Sequence, residues 1–323
     1  MAIRKATITS EAEFDDEISE LYIKKDMNKF WNKWNSRFNK GNSAPNIIND
    51  LTNDNDIAEA FSNSFADVYF NSYEDNTPFI QCLNQVHNSI LSDNNDISFD
   101  IGDIEHAMNQ LKLGKACGFD GISKENLLYS HPIILVHLKL LFNMIYKHGF
   151  TPDDFGKGII TPLLKDKLGN HNQIDNYRAI TVSPLISKLF EYCLLNKFEH
   201  ILVSSDLQFG FKRKFSCTHA IFLLKQVTEY FIAHGSNVYM AALDAKKAFD
   251  RVNHVKLFNI LLNKGLPGRF IKVLIDWYGK SFAMVKWNNV LSNSVLIKSG
   301  IRQGGILSPV LFNIYLDQVF YAL

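Results

Sequence analysis

An apolar run, Val238-Tyr-Met-Ala-Ala-Leu243, leads directly into Asp244, and an aromatic residue, Phe249, stands five positions further on. A carboxylate at the end of a rigid strand is a good oxygen ligand for a hard divalent cation. An aspartate at a strand-to-helix turn is more often the N-cap of the helix that follows, so residue type alone leaves both readings open. Downstream comes Gly300-Ile-Arg302-Gln303-Gly304-Gly305-Ile-Leu-Ser308-Pro309, ahead of an apolar helical pattern. Paired glycines let backbone approach a ligand closely, and Ser-Pro opens a helix. Such a loop can hold a phosphate or a sugar, or be a plain tight turn. Upstream, Lys165 and Arg178 fall on two segments expected to pair as strands, where they can clamp a triphosphate or face solvent.

The elements that must position these residues follow from periodicity. Residues 1–45 carry Phe30-Trp31-Asn-Lys-Trp34 in an expected amphipathic helix, broken by Gly41-Asn-Ser-Ala-Pro45. A second helix is expected from Asp56, as N-cap, to Phe70, then an Asn/Ser/Asp-rich loop over 71–95 as the least ordered part. Asp103 is expected to cap a helix through Leu113, ahead of the glycine-punctuated turn Gly114-Lys-Ala-Cys-Gly118-Phe-Asp120-Gly121. Helices are expected at 123–130, 132–148, 187–202, 246–263, 267–278 and 308–321. Strands are expected at 158–165 and 176–182, joined by a turn at 166–170; a buried strand at 238–243; and a hairpin at 282–298. Helices mixed with antiparallel hairpins predict an α+β fold.

The hydrophobic content of 46% and charged content of 21% are those of an ordinary globular protein, and 323 residues suffice for a sizeable core. Charge is segregated. Residues 1–110 hold 8 Lys+Arg and 19 Asp+Glu, a net −11, whereas 111–323 hold 26 and 14, a net +12. A basic half suits a polyanion, because each neutralised phosphate releases counterions; a solvated basic surface is the bland alternative. Cys82, Cys117, Cys193 and Cys217 lie far apart, with neither Cys-x-x-Cys nor a His ladder, and predict free thiols in a reducing compartment. Neither a signal-like N-terminus nor a bilayer-length apolar segment is present, so an intracellular setting, nucleus or cytoplasm, is expected.

Taken in order, five segments resemble the reverse transcriptases of non-LTR retrotransposons, over roughly residues 97–323. They are Lys115-Ala-Cys-Gly-Phe-Asp-Gly-Ile; Asn176-Tyr-Arg-Ala-Ile-Thr-Val-Ser-Pro-Leu-Ile-Ser-Lys-Leu-Phe-Glu191; Gln208-Phe-Gly-Phe; Asp244-Ala-Lys-Lys-Ala-Phe-Asp-Arg-Val-Asn-His254; and Arg302-Gln-Gly-Gly-Ile-Leu-Ser-Pro-Val-Leu-Phe-Asn-Ile-Tyr315. The resemblance implies a right-hand polymerase fold: a mostly helical acidic connector at 1–95, fingers at 96–237 and an incomplete palm at 238–323. It implies RNA-directed DNA polymerisation, with an RNA template, a DNA primer and deoxynucleoside triphosphates as partners. By residue, it implies Asp244 as catalytic metal ligand, with the backbone carbonyl of Ala245 as a second ligand. Phe249 would be an aromatic gate against a ribose 2′-OH, Gln303 and Gly304 would lie along nucleotide and template, and Lys165 and Arg178 would contact its phosphates.

Nucleotide addition is an in-line displacement at phosphorus assisted by two metals, Mg²⁺ in the intact family, about 3.5–4 Å apart. Asp244 supplies one carboxylate, while Asp250 is expected to brace the next helix. The family carries its remaining carboxylates on a later Asp-Asp hairpin; here Asp-Asp occurs only at 15–16 and 153–154, far upstream. The expectation is therefore an incomplete site, a chain inactive alone, and a final helix with little to pack against. Three neighbouring readings remain: a non-catalytic RNA- or hybrid-binding remnant, a group II intron maturase-like protein, and a viral RNA-dependent RNA polymerase. Phe249 argues against the last, which typically places an Asp there. The acidic, aromatic N-terminal segment argues against the maturase.

Overall fold

In the computed structural model, residues 15–38, 45, 47–69, 76–93, 97–166, 169–245, 247–302 and 304–322 are described. The chain divides after Asp50 into two compact units. Among the described residues, the first holds two helices, α1 (residues 15–23) and α2 (Met27–Phe38). Phe30 stacks on Trp34 at 6.1 Å and meets Tyr22 at 6.0 Å, while Lys33 pairs with Glu17 at 2.6 Å. The expected aromatic helix is present.

In the second unit, period-two burial builds a small mixed sheet. Strand β1 (Lys157–Leu164) buries Gly158, Ile160 and Pro162, and β3 (Phe282–Trp287) buries Ala283, Val285 and Trp287. Strand β2 (Tyr177–Val182) runs antiparallel to β1, with Arg178 opposite Leu163. β3 runs parallel to the first half of β1 and bears β4 (Val290–Leu291) and β5 (Val295–Leu296), so the order is β2-β1-β3-β4 with β5 also on β3. The β1–β3 pairing ends at Ile160↔Val285, ahead of Pro162. Proline has no N–H for a third strand, so it fits where β1 has β2 alone as a neighbour.

Around the sheet lie α3 (Asp54–Tyr69), α4 (Thr77–Ser92), α5 (Ile101–Gln110), α6 (Lys124–Leu128), α7 (Ile133–His148), α8 (Asp153–Gly156), α9 (Leu185–Lys197), α10 (Cys217–Ala233), α11 (His254–Asn263), α12 (Gly268–Gly279) and α13 (Ser308–Ala322). One apolar core joins Cys82 and Val86 of α4, Ile104 of α5, Phe142 and Tyr146 of α7, Phe190 of α9, Leu257 of α11, Trp277 of α12 and Leu311 of α13. The α+β reading holds, and the four cysteines are free thiols. Among the described residues no helix is long and apolar enough to cross a membrane.

Two helix starts move: the one placed at Asp56 lies at Asp54, and the stretch 246–263 holds a 3-10 turn at Phe249–Arg251 before α11 begins at His254. Four larger expectations change. The span read as a loop over 71–95 contains α4, because Cys82 and Val86, one turn apart, are buried in the core and tertiary burial outweighs an Asn-rich composition. Helix α5 starts at Asp100, which accepts from the N–H of Asp103 at 2.8 Å while Asp103 accepts from the N–H of Asp100 at 3.0 Å; Asp103 is the reciprocal partner of the cap. The final helix is well packed, with Leu311, Phe312 and Ile314 buried. The run 238–243 is no strand: Tyr239 is 91% and Leu243 94% exposed. A strand exists only where a neighbour takes its N–H and C=O groups, and none of the described strands does.

Helix α10, which periodicity had not singled out, buries none of its residues and exposes Ile221, Phe222, Leu223, Leu224, Tyr230 and Ile232. An uncovered apolar face of this kind drives association. The chain by itself should scatter light as higher-order species in static light scattering, and Phe222→Glu with Ile232→Lys should shift it toward monomer. A monodisperse parent chain would contradict this.

Candidate functional site

Strands β1 and β2 place Lys165 and Arg178 at one end of the sheet. The connecting turn is held by Asn176, whose Nδ2 donates to the carbonyls of Asp166 at 3.1 Å and Asn170 at 3.2 Å. Lys165 Nζ donates to the Asp175 carbonyl at 2.7 Å. Lys165, Asp175 and Arg178 share a cavity of about 180 Å³ with Lys247, Asp250, Ile174, Tyr177, Ile180, Ser64 and Phe65. The side chains of Arg178 and Lys247 make no hydrogen bond or ion pair with a described residue. Three cations and two aspartates thus line one small cavity, a net positive balance in which the Arg178 and Lys247 side chains are left to meet an anion.

Phe249 lies in a short 3-10 turn, Phe249–Arg251, stacked on Phe312 of α13 at 4.2 Å and meeting Phe211 edge-on at 5.4 Å. Phe211 belongs to the Gln208-Phe-Gly-Phe segment, which α13 grips through polar groups. Gln208 Nε2 donates to the Asn313 carbonyl at 2.7 Å and to Asp317, and Asn313 Nδ2 donates to the Gly210 carbonyl at 2.8 Å. The aromatic residue five after Asp244 is therefore held from two sides. It lines neither the triple-cation cavity nor the cleft described below.

The glycine-rich loop hangs on a buried charge pair. Glu191 of α9, 3% exposed, accepts from the N–H of Ile306, and its Oε1 lies 3.8 Å from Arg302 Nη1. Arg302 lies over the Trp277 ring at 4.7 Å, and its Nη2 donates to the Phe155 carbonyl at 2.6 Å. The Arg302 carbonyl accepts from Ser308 Oγ at 2.6 Å and from the N–H of Gly305 at 3.0 Å, closing the turn. Burial pushes the Glu191 carboxyl up and the Arg302 guanidinium down from their ordinary values, and each charge offsets part of that shift in the other.

The loop's path demands glycine at two places. Gly300, at φ +85°, leaves no room for a Cβ against Asp250; Gly304, at φ +90°, would set one 2.1 Å from the Thr181 carbonyl of β2. His254 holds the loop's start, donating from Nε2 to the Gly300 carbonyl at 2.7 Å, with Tyr278 edge-on at 4.8 Å. Burial holds its imidazole below the usual value, partly countered by that hydrogen bond.

Gly304 and Ile306 then line a second cleft of about 290 Å³, with Lys112, Lys115, Lys124, Lys188 and Tyr192. Burial lowers the Lys188 ammonium, opposed by nearby Glu191. Lys124 Nζ is tied to the Leu111 carbonyl at 2.6 Å.

The sequence-predicted residues thus divide. Lys165 and Arg178 come together; Phe249 sits in an aromatic stack; Gly304 borders the lysine cleft. Asp244 and Ala245 are exposed, on the segment without a sheet neighbour. Gln303 lies outside the described residues. Among the described residues no three His, Cys, Asp or Glu side chains converge as metal ligands. Oxygen donors such as Asp244 and the Ala245 carbonyl suit a hard cation in type, but the described residues do not by themselves hold one. Sequence reading missed Glu191 as the loop's anchor, and Lys247, Ser64 and Phe65 as cavity lining. The signal for Glu191 was an acid on an otherwise apolar helix face.

The profile of the family described as Reverse transcriptase (RNA-dependent DNA polymerase) matches residues 165–323. Those residues are a reverse transcriptase domain of the non-LTR retrotransposon type. The chain is 30% identical over 209 residues to the probable RNA-directed DNA polymerase from transposon X-element of Drosophila melanogaster, covering 62% of this chain and 22% of that protein. It is 27% identical over 223 residues to the corresponding protein from transposon BS of the same fly, 67% and 24%. It is 25% identical over 221 residues to the RNA-directed DNA polymerase from mobile element jockey of Drosophila funebris, 66% and 24%. The aligned region spans less than a quarter of each of these relatives. Reverse transcriptases as a family use divalent metal ions and belong to the nucleotidyltransferases.

Two expected outcomes test this loop. Glu191→Ala leaves Arg302 buried without its counter-charge and should cost about 3–5 kcal/mol in urea unfolding. Glu191→Gln, which keeps an acceptor for the Ile306 N–H, should cost less; equal midpoints for parent and both variants would refute the anchor. For His254, the folded imidazole titrates below its unfolded value of about 6.5, so the neutral form is the one folding favours. That stabilisation is full above the unfolded value and lost as pH falls through the folded one. The melting temperature should therefore drop between pH 8 and pH 5, and drop less in His254→Gln.

Proposed function

We propose that this chain supplies the nucleotide-handling part of an RNA-directed DNA polymerase, with residues 96–237 as fingers and 238–323 as part of a right-hand palm behind the connector at 1–95. The observation that carries the reading is the cavity where Lys165, Arg178 and Lys247 converge. Its size, below the 300–1,000 Å³ of whole-ligand pockets, suits a phosphate tail more than an entire nucleotide. In this reading the three cations neutralise the triphosphate of a deoxynucleotide and orient it, so that bound geometry replaces a chance encounter.

Phe249, pinned between Phe211 and Phe312, acts as a rigid wall against a 2′-hydroxyl, which it cannot hydrogen-bond. Gly304, with no side chain of its own, lets template and nucleotide pass close to the loop, and Gln303 flanks it. Asp244 with the Ala245 carbonyl is the share of the Mg²⁺ ligands that this chain contributes. RNA template and DNA primer are the partners, in the nucleus or cytoplasm.

The lysine cleft favours a second reading, RNA or hybrid binding without catalysis. Lys112, Lys115 and Lys188 along one groove are what a phosphate backbone requires, whether or not chemistry follows. Primer extension on an RNA template, with and without divalent metal, separates the two. Metal-dependent extension supports the first; salt-sensitive binding with no extension in the intact element protein supports the second.

In an active protein containing this domain, Asp244→Ala should abolish extension while leaving the melting temperature unchanged, because the side chain is exposed. Full activity in that variant would sink the assignment. Phe249→Val should raise ribonucleotide incorporation relative to deoxynucleotide; unchanged discrimination in single-turnover assays would refute the gate.

A further inference from the structure

One wall of the triple-cation cavity comes from outside the matched domain. Ser64 and Phe65 belong to α3, whereas the family match begins at residue 165. The helix is fixed to the strands that carry the cations. Phe61 lies 5.0 Å from the ring of Tyr177, the neighbour of Arg178, and 5.1 Å from the ring of Trp287 on β3. Two polar bonds secure its first turns: Asn288 Nδ2 donates to Asp54 Oδ1 at 3.0 Å, and the Asn293 N–H donates to Glu59 Oε1 at 2.6 Å. These engage two of the helix's carboxylates, while to the cavity α3 presents a hydroxyl and a ring.

The aromatic contacts make the placement rigid, since Phe61 is fully buried and Tyr177 nearly so. Phe65 joins the same stack at 5.9 Å from Phe61. With Ile174, Tyr177 and Ile180 it forms an apolar lining around Lys165, Arg178 and Lys247. The Lys165, Arg178 and Lys247 side chains beside these apolar groups are exposed and can meet an anion arriving from solvent. The Ser64 hydroxyl adds a neutral donor for a phosphate oxygen.

We infer that α3 is part of the nucleotide site: Ser64 and Phe65 form the wall against which the phosphates of a nucleoside triphosphate lie. This inference rests on the reading of the cavity as a triphosphate site. It assigns to a helix of the N-terminal connector a direct part in binding affinity, so the connector does more than tether the polymerase.

The test is equilibrium binding of a fluorescent deoxynucleoside triphosphate to the whole chain and to Ser64→Glu, Ser64→Lys and Arg178→Ala, each first checked for an unchanged thermal melt. A carboxylate at residue 64 should weaken binding about five- to tenfold, and an ammonium there should tighten it several-fold. Arg178→Ala should weaken it about tenfold or more. Opposite signs for the two charges at one position are what proximity to the phosphates demands, and a merely structural role would not produce them. If Arg178→Ala weakens binding while both residue-64 variants match the parent, or weaken it alike, the α3 wall is wrong and the triphosphate reading stands. If Arg178→Ala changes nothing, or the parent chain binds no triphosphate, that reading falls and the inference with it.

Discussion

The buried pair between Glu191 and Arg302 is the constraint on which the rest of the site depends. Taking a carboxylate and a guanidinium out of water is costly, and the cost is offset only when both find partners. Here the partners are the site's own framework: the N–H of Ile306 on one side, and the Phe155 carbonyl and Trp277 ring on the other. One interaction therefore ties α9, α8, α12 and the glycine-rich loop together. A loop held in this way can pass within contact distance of β2 at Gly304 and of the Phe249–Arg251 turn at Gly300 without collapsing onto either.

Around that anchor, the elements act through aromatic packing. Phe249 gets its position from Phe211 and Phe312, and Phe211 gets its own from a segment whose polar groups are satisfied by α13. Phe61, Tyr177 and Trp287 perform the same task for α3. Stiff side chains with few rotamers transmit position well, because little conformational freedom remains to blur it. Of the cations, Lys165 is tied to the Asp175 carbonyl, whereas the Arg178 and Lys247 side chains are exposed.

The exposed apolar segments express the same physics from the other direction. Residues 238–243 have the composition of a buried strand, yet none of the described strands pairs with them. Helix α10 has apolar side chains that meet no core. β-structure is a property of pairs, so an extended run takes on strand character only when a neighbour accepts its hydrogen bonds. Composition alone cannot report whether that neighbour is there.

Much of the architecture was legible in the residues because its signals are local. The β1–β2 hairpin was visible from its apolar runs and the turn between them, and the start of α13 from Ser308-Pro309. Lys165 and Arg178 could be read as partners because a hairpin brings its ends together. The order and spacing of five motifs were enough to indicate the polymerase family. Three things needed the tertiary structure: that α4 would form from a polar stretch, that Glu191 would reach across to residue 306, and that α3 would roof the cation cavity. Each depends on contacts between residues more than a hundred positions apart, or on a core that local periodicity cannot see. The sequence by itself determined which groups are present and which short segments carry them. Which of those groups face one another was decided by packing, because burial and long-range pairing are properties of the assembled chain.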